Sequence, residues 1–180
     1  AVADGAVMLD LSQMKSVHVD PRTRTARVAP GAVLGDVDRE TQAHGLMVPT
    51  GINSTTGIAG LTLGGGFGWT TRKFGMTIDN LLSAEVVLAD GSIVAASEGS
   101  HPDLFWAIRG GGGNFGVVTS FEFRLHPLGP QVLSGLVVHP IDQARTLLPE
   151  YARIADTAPD ELTVWSVMRK APPLPFLPED

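Results

Sequence analysis

One stretch decides the fold: Thr50-Gly51-Ile52-Asn53-Ser54-Thr55-Thr56-Gly57-Ile58-Ala59-Gly60-Leu61-Thr62-Leu63-Gly64-Gly65-Gly66-Phe67-Gly68. Seven glycines fall in the 18 residues from Gly51 to Gly68, with no charged side chain among them. Glycine loses more conformational freedom on folding than any other residue, so a run this dense needs a reason. Either the backbone takes positive φ or something approaches that a Cβ would exclude. Ser54, Thr55, Thr56 and Thr62 add neutral hydroxyls between the glycines. Backbone amides in such a segment can meet phosphate oxygens without help from lysines, which suits a large, flat ligand rich in hydrogen-bonding groups. A purely structural glycine loop uses the same residues, so this cluster alone leaves both readings open.

A second cluster lies about fifty residues downstream: Gly110-Gly111-Gly112-Gly113-Asn114-Phe115-Gly116. Gly111, Gly113 and Gly116 give a formal GxGxxG, a pattern that binds dinucleotides when it follows a strand and opens a helix. Here a helix is expected before it, over residues 102–108, and the β-branched Val117, Val118 and Thr119 predict a strand after it. The order is reversed and the Rossmann reading fails. No Gly-Lys-Ser or Gly-Lys-Thr occurs, so the phosphate loop of the NTPases fails as well.

Working outward, short strands are expected at residues 7–11, 17–19 and 25–28, with a turn at Asp20-Pro21-Arg22-Thr23 between the last two. An amphipathic helix over 34–43 stops before Gly45. Residues 84–89 and 93–95 read as a hairpin about Asp90-Gly91. The helix at 102–108 is expected to turn Phe105, Trp106 and Ile108 to a core, and 117–125 reads as a half-buried strand. Dense punctuation at His126-Pro127-Leu128-Gly129-Pro130 places a domain boundary there. Beyond it the expected order is strand 132–138, helix 142–155 and strand 162–168. The N-terminus enters without a methionine and the C-terminus stops in a proline-rich stretch, so both ends read as internal to a longer chain.

Composition narrows the function classes. The net charge of −6 with 13 scattered basic residues argues against a nucleic-acid partner. No apolar run reaches the roughly 20 residues that cross a bilayer, and no signal peptide is seen, so no membrane partner is expected and the cytoplasm is the default location. The absence of cysteine removes disulfides and thiolate chemistry. Five dispersed histidines show no ligand spacing, so no metal site is expected.

Both clusters, in this order, resemble a known family. Pro49-Thr50-Gly51, Thr55-Thr56-Gly57, Gly60, Gly64-Gly65-Gly66-Phe67-Gly68, Arg72-Lys73-Phe74-Gly75 and Asp79-Asn80 are similar to the flavin-binding core of the vanillyl-alcohol-oxidase proteins, in particular the berberine-bridge-enzyme-like FAD-linked oxidases. Ala89-Asp90-Gly91, His101-Pro102-Asp103-Leu104-Phe105-Trp106-Ala107 and Arg109 through Thr119 are similar to the stretch that closes that FAD domain. The resemblance covers about residues 6–126. It implies an α+β fold: a PCMH-type FAD-binding domain over 1–126, its second FAD subdomain complete and its first partial. The start of an antiparallel-sheet substrate domain would then follow over 131–180. It further implies FAD contacts at Thr50, Gly51, Ile52, Asn53, Ser54, Thr55, Thr56, Gly57, Gly60, Gly64, Gly65, Gly66 and Gly68, with adenine near the backbone of Gly116, Val117 and Val118.

The family's Arg-Gly-Gly-Gly-His loop, whose histidine often bonds the flavin, would lie upstream of Ala1. Asn53 stands where some relatives carry a second linking cysteine, which excludes a bicovalent flavin. The chemistry implied is hydride transfer from a carbon of a small-molecule alcohol, sugar or amine to flavin, with oxygen or another acceptor reoxidising it. The alternative is a flavin- or nucleotide-binding module without turnover on the same scaffold. No catalytic residue is assigned. Tyr151 and His101 are not read as bases, Arg72 is read as fixing its own loop, and His18, His44, His126 and His139 are given surface or packing roles. A valine at Gly65 is expected to expel the flavin from a folded protein.

Overall fold

The computed structural model describes residues 4–169. The chain divides into two units, Ala1–Val132 and Leu133–Asp180. In chain order the elements of the first unit are β1 (Val17–Asp20), β2 (Thr25–Val28), α1 (Leu34–Gln42), β3 (Leu46–Met47), α2 (Ile58–Leu63) and α3 (Thr71–Phe74). A 3-10 turn at Thr77–Asn80 leads to β4 (Leu81–Val87), β5 (Ile93–Ser97), α4 (Pro102–Ile108), β6 (Val117–Arg124) and β7 (His126–Pro127).

Five strands form one sheet in the order β1-β2-β6-β4-β5, every neighbour antiparallel, and β3 pairs with β7 in a small ribbon. The fold is α+β. Turn chemistry sets both hairpins. Asp20 Oδ1 accepts the Arg22 amide at 2.9 Å, and Asp90 Oδ1 accepts the Ser92 amide at 2.9 Å while Gly91 takes φ +83°. Alternation then sorts the sheet's faces. Ala26, Val28, Ala84, Val86, Phe121 and Phe123 are buried with Leu34 and Val37 of α1, Ile58 of α2, and Phe105 and Ile108 of α4. The opposite face is polar: Ser83 Oγ donates to Glu122 Oε2 (2.7 Å) and Thr119 Oγ1 to Glu85 Oε1 (2.6 Å).

Several expectations need correction. Residues 7–11 form no strand, and Val7, Met8 and Leu9 are exposed. A strand exists only with a ladder partner, and no described residue pairs with this segment. Trp106 does not join the core: it is 75% exposed, while Phe105 is 2% exposed. Phe105 and Ile108 are three apart and share the buried face of α4, which turns Trp106 outward. A short helix, α2, occupies the middle of what reads as a long loop.

In the second unit α5 (Ala144–Thr157) follows a 3-10 turn at Ile141–Gln143, close to the expected 142–155. Residues 132–138 and 162–168 are not strands. Leu133, Leu136, Val137, Trp165 and Val167 are exposed, and no described residue gives either segment a ladder. The expected first strands of an antiparallel sheet are therefore not formed among the described residues. Tyr151 Oη donates to the Val164 carbonyl at 3.3 Å.

Candidate cofactor site

The loop after β3 is pinned to the start of α1. The amides of Leu34 and Gly35 donate to the carbonyls of Thr56 and Ser54 at 2.9 Å each, and the Ile58 amide donates to the Ala32 carbonyl at 3.0 Å. Inside the loop, Asn53 Oδ1 accepts both the amide (3.1 Å) and the hydroxyl (2.8 Å) of Thr55, an Asx turn. Ile52, Asn53, Ser54, Thr55 and Gly57 are exposed, with Gly51 and Thr56 half-buried. Thr50 is buried, as is Thr62. Thr62, expected to offer its hydroxyl to a ligand, is 0% exposed with its Oγ1 unpartnered inside the packed face of α2.

Two kinds of glycine stand out in this cluster. Gly65 and Gly66 have internal reasons: both are buried, at φ +112° and +74°. A Cβ on Gly65 would lie 2.9 Å from Met76 Cε, and one on Gly66 2.7 Å from Thr77 Cβ. Their carbonyls accept the Ile78 (3.1 Å) and Thr77 (2.9 Å) amides. A Cβ on Gly68 would run into the Thr50 carbonyl, so the loop closes backbone to backbone there. A valine at Gly65 would thus strain the turn itself as well as any close approach to it. Gly57 and Gly60 are the other kind. Both are exposed, neither has positive φ, and a Cβ on either would meet nothing within 4 Å. Gly60 sits inside a helix, where glycine costs about 1 kcal/mol relative to alanine. Nothing within the described residues requires glycine at these two positions.

The two clusters meet. The Leu63 carbonyl at the end of α2 accepts the amides of Gly110 (3.1 Å) and Gly112 (2.9 Å). Gly116 packs against β4: it has φ +143°, and a Cβ would stand 2.7 Å from Val86 Cγ1 and the Val87 carbonyl. Val117 is half-buried and the Val118 side chain belongs to the core. β2 pairs only with residues 121–124 of β6, so Val117 through Ser120 carry a strand partner, β4, on one side alone.

Behind the glycine turn lies a polar knot that sequence reasoning gave no function. Thr77 Oγ1 donates to the Pro49 carbonyl (2.8 Å), and Asn80 Nδ2 donates to the carbonyls of Phe74 and Met76 (2.9 Å each). His126 Nε2 meets Asn80 Oδ1 at 2.6 Å, and its ring stacks on Phe74 at 4.3 Å. Partial burial, then the Arg124 charge, pushes the His126 imidazole below its ordinary 6.5. Among the described residues no group of acidic and histidine side chains could hold a metal ion, and no helix is long and apolar enough to cross a membrane.

Comparison with known proteins settles the family. A family model described as an FAD binding domain matches residues 1–97. The chain belongs to this FAD-binding family. It is 43% identical over 166 residues to an FAD-linked oxidoreductase of Dictyostelium discoideum, covering 91% of this chain and 36% of that protein. Among solved structures, 6-hydroxy-D-nicotine oxidase of Arthrobacter nicotinovorans superposes with a TM-score of 0.81 at 37% identity, covering 89% of this chain and 36% of that one. Xylooligosaccharide oxidase of Myceliophthora thermophila gives 0.63 at 43% identity, covering 65% and 25%. The chain spans about a third of the length of these curated relatives, (R)-6-hydroxynicotine oxidase of Paenarthrobacter nicotinovorans among them.

The fold is accordingly that of the PCMH-type FAD-binding oxidases, and FAD is the cofactor of the family. The FAD-binding domain's own residues fit the group. Gly57 and Gly60 leave clear a surface that side chains would fill, and the exposed polar loop at 53–55 lies beside it in sequence. The open side of β6 at 117–120 offers backbone groups.

Proposed function

We propose that the whole protein is an FAD-dependent oxidoreductase acting on a small molecule, and that residues 51–60 and Gly64, with the backbone of 116–118, form part of its cofactor surface. FAD would accept a hydride from an alcohol, sugar or amine carbon and pass the electrons to oxygen or another acceptor. On this reading Gly57 and Gly60 admit the ligand to the backbone, and Asn53, Ser54 and Thr55 offer neutral hydrogen-bonding groups to it. Buried Gly65 and Gly66 and half-buried Gly68 frame the site. On this reading the substrate-binding part, and the catalytic base with it, lies downstream of the first unit, which ends at Val132.

One observation carries the reading: Gly57 and Gly60 are exposed glycines in ordinary backbone with nothing within 4 Å of a Cβ. Support comes from the relatives, which include oxidases of hydroxynicotine and of xylooligosaccharide. The test is optical. Purified full-length protein should be yellow with flavin absorbance, and anaerobic addition of its substrate should bleach it. A colourless protein that gains no flavin on incubation with FAD would refute the cofactor assignment. A yellow protein that no alcohol, sugar or amine bleaches would favour a binding module without turnover.

A further inference from the structure

The polar knot behind the glycine turn has a direction. Asn80 is 2% exposed, and its Nδ2 gives its hydrogens to the Phe74 and Met76 carbonyls. That fixes the amide, so Asn80 Oδ1 is an acceptor and His126 Nε2 carries the hydrogen in the 2.6 Å bond between them. The imidazole lies 4.3 Å from the Phe74 ring at an interplanar angle of 20°, which sets its orientation. From Asn80 the knot runs upward. The Met76 amide donates to Asp79 Oδ2 (2.7 Å), and the Thr77 and Ile78 amides hold the Gly66 and Gly65 carbonyls.

We infer that His126, carrying a hydrogen on Nε2, is a positioning residue that sets the turn at Gly65 and Gly66 through Asn80. It stands where the chain leaves the sheet, paired with Met47 on β3. The charged groups on the elements around it are Glu122 and Arg124 on β6, Arg72 and Lys73 on α3, and Asp79 on the Thr77–Asn80 turn; β3 carries none. The Asp79 carboxylate is engaged with the Met76 amide. Partial burial and then the Arg124 charge oppose a second proton on the ring. A folded value below the unfolded one means that the contribution is complete above about pH 6.5. It is lost as pH falls through the folded value.

The consequence for flavin rests on the function proposed above; the coupling between His126 and the turn does not. In full-length protein, amide hydrogen exchange at Thr77 and Ile78, corrected for intrinsic rates, reads the coupling with or without cofactor. His126→Phe keeps the stacked ring and removes the donor; it should speed both amides about ten-fold, leaving Val86 and Phe121 in the core strands unchanged. His126→Gln, which can donate to Asn80 Oδ1, should restore slow exchange. Unchanged exchange in the Phe variant, or a Gln variant as fast as it, would each overturn the inference. If the Phe variant does not fold, the Gln variant decides alone: exchange as slow as in the wild type supports the inference, and faster exchange overturns it. Bound FAD per chain is measured alongside. Coupling intact in a protein that takes up no FAD would sink the cofactor reading and leave this one standing.

Discussion

The hydroxyl of Thr77 donates to the carbonyl of Pro49 across 2.8 Å of buried space, tying the segment that follows the glycine turn to the residue that precedes the glycine loop. The two residues are 28 apart in sequence, and both are buried. Thr77→Val keeps the shape and removes the donor, leaving a buried carbonyl without this partner. We expect a loss of about 1–3 kcal/mol in urea unfolding of the full-length protein. A change within about 0.5 kcal/mol would mean that the Pro49 carbonyl finds another donor.

The two kinds of glycine predict opposite outcomes. Gly60→Leu has room, and it replaces glycine inside a helix with a good helix former. The protein should keep native circular dichroism and lose flavin. Gly66→Ala meets the Thr77 side chain at a positive φ and should destabilise the fold by about 1–3 kcal/mol. Undiminished flavin in the Gly60 variant would remove α2 from the cofactor surface.

Asn53 has a side chain that no flavin can bond covalently, and its Oδ1 is engaged with Thr55. The tryptic peptide of residues 40–72 should therefore carry no flavin mass in the full-length protein. A flavin adduct on that peptide would contradict the expectation. Asn53→Ala should loosen the exposed turn without unfolding the domain, at a cost below about 1 kcal/mol.

α4 gives a paired test within one helical turn. Phe105 is buried beneath the Arg109 guanidinium, which lies 4.5 Å from the ring centroid, whereas Trp106 points to solvent. Phe105→Ala should cost about 3–5 kcal/mol. Trp106→Ala should change stability by no more than about 0.5 kcal/mol in this part of the chain. Equal losses would mean that another part of the protein covers Trp106.

The elements that sequence alone made legible carry their own local signal. Alternation and turn residues gave β1, β2, β6 and the β4–β5 hairpin, and the stop at Gly45 closed α1. What could not be read depends on partners. α2 has six residues, one of them glycine, too short for a period to register. The β3–β7 ribbon joins Met47 to His126, and no local pattern announces a pairing over that separation. Residues 132–138 and 162–168 have the composition of strands, but a strand is a property of a pair. At the site the glycines were visible, yet which of them face inward was not. That division depends on Met76, Thr77 and Thr50, which approach only in the folded chain.

β6 is the last strand of the sheet to be synthesised, and it lies in the middle, between β2 and β4. The two hairpins made earlier, β1–β2 and β4–β5, share no ladder until residues 117–124 arrive to join them. Closing the sheet therefore waits on a contact that brings Thr25 to Arg124 and Val28 to Phe121. Such non-local closure makes for slow folding. During translation, both hairpins stand with open edges until the chain passes Arg124, and any truncation before Val117 leaves them that way for good, as surfaces that invite aggregation.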